Sequence, residues 1–245
     1  ILIVVTYLFP NRRSLKTNTM STNKKTGRLA GLCYFILVIT GIFSLMYVPS
    51  QIYVSGDAAT TASNIQSSET LFRLGMAVEM VSYVAFLLLP LILYKIFHQV
   101  NKTASVLMVA FAVVSIPITF TGILNEFSVL ELVRDSAFPN GELESEVMFY
   151  MKRYFKGHLI AQIFWALWLF PLGYMIYRSG LIPRVLGIFL MLGSVGYLID
   201  FFGRVISPEY REMTLASYIT IPASIGEIGT CLWLLIMGAK ETETG

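Results

Sequence analysis

Along this chain long apolar runs alternate with short polar breaks, on a scale of about twenty residues rather than that of a strand or a single heptad. Six runs are long enough to cross about 30 Å of hydrocarbon as a helix rising 1.5 Å per residue. They lie at about 29–48, 71–94, 104–124, 159–177, 185–202 and 217–237. The breaks at 95–103 and 178–184 are tight, so spans two and three, and spans four and five, are expected to be antiparallel hairpins packed as neighbours. The alternate side carries the longer connections. There Gly56-Asp57-Ala58-Ala59-Thr60 offers Asp57 as the cap of a short surface helix. Pro139-Asn140-Gly141 reads as a turn, and residues 142–156 then place Leu143, Val147, Met151, Tyr154 and Phe155 at helical spacing. The acids of that segment come first and Lys152, Arg153 and Lys156 last, as a helix dipole prefers, so it is expected to lie on the outer surface as a short amphipathic helix.

The fold class is therefore all-α: a polytopic membrane helix bundle with six transmembrane helices plus that short outer helix. It forms one domain over residues 20–240, with a tail at 241–245. Small residues recur in the fifth span (Gly187, Gly193, Ser194, Gly196) and the sixth (Ala223, Ser224, Gly226, Gly229), permitting close helix approach within the bundle or in a homo-oligomer. Pro90, Pro117, Pro171 and Pro222 each remove a backbone hydrogen bond inside a span and allow a bend. No internal repeat supports an inverted-repeat transporter architecture.

Composition agrees with the pattern. Of 245 residues, 56% are hydrophobic and only 13% charged, against about a quarter charged in an ordinary soluble domain. That balance excludes disorder. The net charge of +3 comes from basic residues flanking the spans, which encode orientation rather than a nucleic-acid surface. Eleven Lys and Arg fall on the side of the two termini and tight turns, against six on the other, which places both termini in the cytoplasm. Setting aside residues 1–19, which open on Ile1 and precede Met20, leaves eight against six. Those nineteen residues read as upstream translation or an incomplete start: their apolar piece is too short to span, and its basic residues follow rather than precede it, unlike a secretory signal. Cys33 and Cys231 lie in apolar stretches and read as packing residues.

Charge at membrane depth is costly, so the informative residues are ionisable groups within the spans. Glu227 sits near the middle of span six. Glu79 lies about 22 Å up span two from Tyr94, and Arg73, six residues away, does not share its face. Glu69 is the better local partner of Arg73, at i and i+4, so Glu79 needs a partner from another helix. Glu126, His158, Asp200 and Arg204 fall near the same outer level, and His158, Gln162 and Trp165 make one partly polar helix face. The sharp expectation is an outward-opening polar cavity lined by Glu79, Glu126, His158, Gln162 and Asp200, with Glu227 at its floor and Arg73 helping to hold a polar group. The plain alternative is that Glu126, His158, Asp200 and Arg204 are interfacial residues touching headgroups and water. With His98 and His158 at opposite faces, no two-histidine metal or haem site is expected. No Gly-x-Ser-x-Gly elbow, His-Glu-x-x-His, phosphate-cradling loop or nicotinamide fingerprint occurs, so no metal and no cofactor is expected.

Several segments are familiar. Thr26-Gly27-Arg28-Leu29-Ala30-Gly31, Gly56-Asp57-Ala58-Ala59 and Leu71-Phe72-Arg73-Leu74-Gly75 resemble the bacterial membrane family called domain of unknown function 4386. So do Leu159 to Trp165, Pro171-Leu172-Gly173-Tyr174, Arg178-Ser179-Gly180, Gly196 to Asp200, Gly226-Glu227 and Leu232-Trp233-Leu234. The resemblance covers nearly all of 26–238, implies a bacterial cytoplasmic-membrane protein, and brings no reaction, ligand or catalytic residue with it. Arg73, Gln162, Asp200 and Glu227 fall on its motifs, whereas Glu79 and Glu126 do not. Three readings stand: a protein binding or carrying a small molecule or lipid; a structural or regulatory protein with its buried charges paired internally; and an intramembrane enzyme using His158 and a carboxylate as acid and base.

Overall fold

The computed structural model describes residues 19–134 and 142–240, and these are helical with no strand among them. Six helices are long and apolar enough to span a membrane, and they contain or closely match the six apolar runs. Helix α1 (Thr19–Gly41) runs through a π-helical stretch, Ile42–Tyr47, into α2 (Val48–Ile52), and together these make the first span. The short α3 (Ala58–Ser67) precedes α4 (Glu69–Phe97), α5 (Lys102–Arg134), α6 (Glu142–Ser179) and α7 (Arg184–Ile206). The last span combines a five-residue α8 (Thr214–Tyr218) with α9 (Ile221–Ile236). The initial residues 1–18, the Pro139-Asn140-Gly141 turn and the tail at 241–245 lie outside the described residues.

Each spanning helix packs on the next in sequence, and α9 packs on both α7 and α1. The result is a closed ring in the order α1, α4, α5, α6, α7, α9, including the two expected hairpin pairs. Its outer surface is lined by apolar side chains such as Leu32, Ile39, Val84, Leu88, Val114 and Leu192, all exposed, whereas Glu79, Glu126 and Asp200 are buried. That arrangement inverts the solubility logic of a water-soluble domain and suits hydrocarbon as solvent.

The small residues of spans five and six are used inside the chain. A Cβ on Gly173 would stand 2.6 Å from the Gly187 carbonyl where α6 meets α7, and one on Gly226 would meet Leu190 at 2.9 Å. Gly193 lies directly against Ala223. Ser194 adds a hydroxyl bond of 2.7 Å to the Ala166 carbonyl. Pro90, Pro117 and Pro171 sit within helices as expected, but Pro222 does not bend a continuous span. It occupies the first turn of α9, where its missing N–H costs nothing.

The two ends of the bundle differ. One, the terminal end, holds the tight turns and a clasp between the first and last helices. Arg28 Nη2 donates to the Ile236 carbonyl (3.1 Å), Gly27 lies against Ala239, and Gly238, at φ +74°, ends α9 in a conformation that glycine adopts without strain. The other, the cap end, carries the surplus length of α5 and α6. These helices of 33 and 38 residues measure about 50 and 57 Å, so about 20 and 27 Å of them exceed a hydrocarbon layer of about 30 Å. Asp57 caps α3 as expected, accepting from Thr60 N at 2.9 Å and Thr60 Oγ1 at 2.6 Å, and α3 packs on the projecting part of α6.

The expected amphipathic helix at 142–156 requires a correction. It is helical, and Val147, Met151 and Tyr154 are buried, but it is the first part of α6 rather than a separate element on the surface. Its apolar stripe is covered by α5 and α3, and with no proline between Glu142 and Leu159 the helix runs on through Gly157 into the span.

Candidate functional site

The inward faces of the ring carry polar residues from every spanning helix, and they descend from the cap end toward mid-membrane. Measured along each helix from the terminal-end boundary of its span, Glu126 lies at about 33 Å, His158 at about 28 Å, and Glu79, Gln162 and Asp200 at about 22 Å. Tyr197 follows at about 18 Å and Glu227 at about 15 Å.

The uppermost group joins α4, α5 and α6. Glu79, 1% exposed, accepts from Tyr83 OH on its own helix at 2.8 Å and from Tyr154 OH at 2.9 Å. Its Oε1 is also 3.0 Å from His158 Nε2, so the partner it needed comes from α6, across the ring. His158 Nδ1 lies 3.0 Å from the Tyr154 carbonyl, which can only accept, and Nε2 lies 2.6 Å from Tyr83 OH. The Tyr83 and Tyr154 phenols and the His158 ring thus fill the shell of the Glu79 carboxyl. Both nitrogens are thereby engaged, and neither is free to take a proton from a substrate.

Glu126 is drawn to the same place by α5. Gly122, one turn earlier on its face, is where the His158 and Tyr154 rings meet the helix: a Cβ there would stand 3.4 Å from His158 Cε1, in ordinary contact. Glu126 is 6% exposed and lies within electrostatic range of Glu79, Tyr83 and Tyr154. Yet its Oε2 is buried without a hydrogen-bond partner.

One turn below His158, Gln162 Nε2 donates to Asp200 Oδ2 at 2.8 Å and to the Tyr197 carbonyl at 3.1 Å. Arg204 completes this group, with its Nε 2.9 Å from Asp200 Oδ2, while Asp200 Oδ1 has no partner. Lower still, Glu227 is half-buried and accepts from Tyr197 OH (3.2 Å) and Tyr34 OH (3.4 Å). Tyr197 therefore touches both lower groups, through its carbonyl and its hydroxyl.

Arg73 is a correction. Its Nε bonds Glu69 Oε1 at 2.6 Å, the local pair expected from spacing, and Arg134 Nη2 lies 2.7 Å from the same oxygen. This exposed network ties α4 to α5 at the rim of the cap, and Arg73 takes no part in the interior cluster, because it points away from the face that Glu79 uses. Glu79, Glu126, His158, Gln162 and Asp200 do share the interior as expected, with Glu227 below them. That four tyrosines line the site was not read from the sequence, although two had a signal: Tyr83 stands four after Glu79 and Tyr154 four before His158, each on one helix face with its partner. Cys33 and Cys231 are buried packing residues, as expected.

Comparison with known proteins adds identity at the level of family. An uncharacterized protein of Archaeoglobus fulgidus is 34% identical over 84 residues, covering 34% of this chain and 48% of that protein. The chain thus spans about half the length of this curated relative. No solved structure matches. Residues 29–238, from the first span to the glycine that ends the last, match the family described as "Domain of unknown function (DUF4386)", and this multi-pass membrane protein belongs to it.

Proposed function

We propose that this protein binds a small polar or amphiphilic molecule inside its ring of helices, admitted from the cap end, as a receptor or carrier of a bacterial cytoplasmic membrane with both termini in the cytoplasm. The observation that carries this reading is accessibility. His158, Gln162, Trp165, Tyr197 and Glu227 bond to, stack on or pack against neighbours within the ring, yet each keeps part of its surface open instead of being sealed in apolar packing. Polar groups at membrane depth that remain reachable mark ligand or ion paths more often than packing. Orientation rests on the excess of Lys and Arg at the terminal end.

A structural role is the second reading, favoured by the Glu79–His158 and Asp200–Arg204 pairs, which engage two of the buried acids internally. It leaves the bare oxygens of Glu126 and Asp200 unexplained. Cysteine accessibility separates the two. In a background with Cys33 and Cys231 replaced by Ala, Gln162→Cys should react with a small, membrane-impermeant thiol reagent added to the cap side, and Ala161→Cys, fully buried one residue away, should not. Equal inertness of both would favour the closed, structural bundle.

A further inference from the structure

We infer that the site beside Glu126 takes a monovalent organic ammonium ion, in exchange for a proton that Glu126 carries when the site is empty. This rests on the ligand-binding reading above and names the ligand's chemistry. Every donor of the uppermost group is committed: Tyr83 and Tyr154 donate to Glu79, and the two ring nitrogens of His158 lie against Glu79 and the Tyr154 carbonyl. Nothing is left for Glu126 Oε2. His158, the basic side chain of the group, is taken by Glu79, so ionising Glu126 leaves an uncompensated negative charge in a buried place, which is costly unless a cation arrives. The titratable groups facing it are Glu79 and Tyr83 from α4 and Tyr154 and His158 from α6. Helix α3, which also borders α5, carries none between Ala58 and Ser67.

Two features select the kind of cation. Among the described residues no three His, Cys, Asp or Glu side chains are arranged as a metal ligand set, so the donors suit one hydrogen-bonding charge rather than a divalent ion. The neighbouring rings within electrostatic range of Glu126 are Tyr83 and Tyr154, aromatic surfaces of the kind that attract a poorly hydrated ammonium. The exchange balances. The Oε2–H bond of Glu126 breaks, its proton leaves to water, and the carboxylate accepts an N–H of the entering ammonium, leaving the site neutral before and after.

The test uses the full chain in detergent, with phenethylammonium as probe and uncharged phenethyl alcohol as its neutral counterpart. Titration calorimetry in two buffers of different ionisation enthalpy should show one proton released per ammonium bound. Glu126→Gln should weaken ammonium binding by about thirtyfold or more and abolish the release, while Arg134→Ala changes neither. Infrared difference spectra should show a protonated carboxyl C=O band lost on ammonium binding, absent from Glu126→Gln. Because Oε2 makes no bond in the fold, that variant should melt as the parent does. Should it fail to fold, Glu126→Asp, with its carboxyl withdrawn by one methylene, must show the same weakening. Undiminished ammonium binding by Glu126→Gln, or binding without proton release, overturns the exchange. Tighter binding of the alcohol than of the ammonium overturns the ligand class while sparing the binding site, and absence of heat from both probes removes both proposals.

Discussion

Two carboxylates are kept inside this bundle by opposite means. Glu79 is met by a histidine ring nitrogen at 3.0 Å, with two phenols filling the rest of its shell. Glu227, lower in the ring, is met by two phenols and by no basic side chain within ion-pair distance among the described residues. The first is a carboxyl and an imidazole that depend on each other for their contacts. The second asks only for an acceptor, which an amide supplies as well. The same residue type at membrane depth thus has a titratable partner in one place and only hydroxyl donors in the other.

Removing a partner should expose that contrast most sharply. His158→Ala strips buried Glu79 of its partner across the ring and should cost about 3–5 kcal/mol in detergent unfolding, and the His158→Ala/Glu79→Gln double variant should recover much of the loss. A single variant that unfolds like the parent would break the pairing of the two. Around Glu227 the effects should be smaller and independent of charge. Tyr34→Phe and Tyr197→Phe should each lose about 1 kcal/mol, and Glu227→Gln, which keeps an acceptor oxygen, no more than either. A loss at Glu227→Gln as large as that at His158→Ala would erase the distinction.

Asp57, outside the membrane, offers a third kind of carboxylate, one held chiefly by bonds to Thr60, with the Ala59 N–H adding to them. Those bonds lower its pKa below the ordinary aspartate value. Its capping contribution is therefore fully present above the unfolded-state pKa and fades as pH falls through the lower folded value. Amide exchange at Thr60 should speed up over that acidic range, and Asp57→Ala should be fast at every pH. Least of all, Arg134→Ala at the rim should leave the melting temperature unchanged at moderate salt, since exposed ion pairs contribute little.

The six spans were legible because burial in lipid demands long apolar helices, and no tertiary detail changes that demand. The Asp57 cap and the Glu69–Arg73 pair were legible because they are local. The continuation of α6 through 142–158 was not: the sequence shows an amphipathic stripe at that point, but whether lipid or α5 and α3 cover it depends on partners far along the chain. Likewise the depth of Glu79 announced the need for a partner, whereas the choice of His158 required knowing that α4 and α6 face each other across the ring. Gly122 illustrates the remainder, since nothing near it in sequence shows that His158 and Tyr154 lean on it.

The clasp of Arg28 and Gly27 on the last helix has a consequence for biosynthesis. The ring is closed by the first span and the last, so during chain elongation its interior faces lipid along one side until α9 is inserted. By then Tyr34 and Tyr197 are already in the membrane, and Glu227 arrives to find both of its donors waiting. A chain released before α9 would keep the upper Glu79–His158 pair but present an open flank with two unsatisfied phenols, a product that quality-control proteases of the membrane are well placed to recognise.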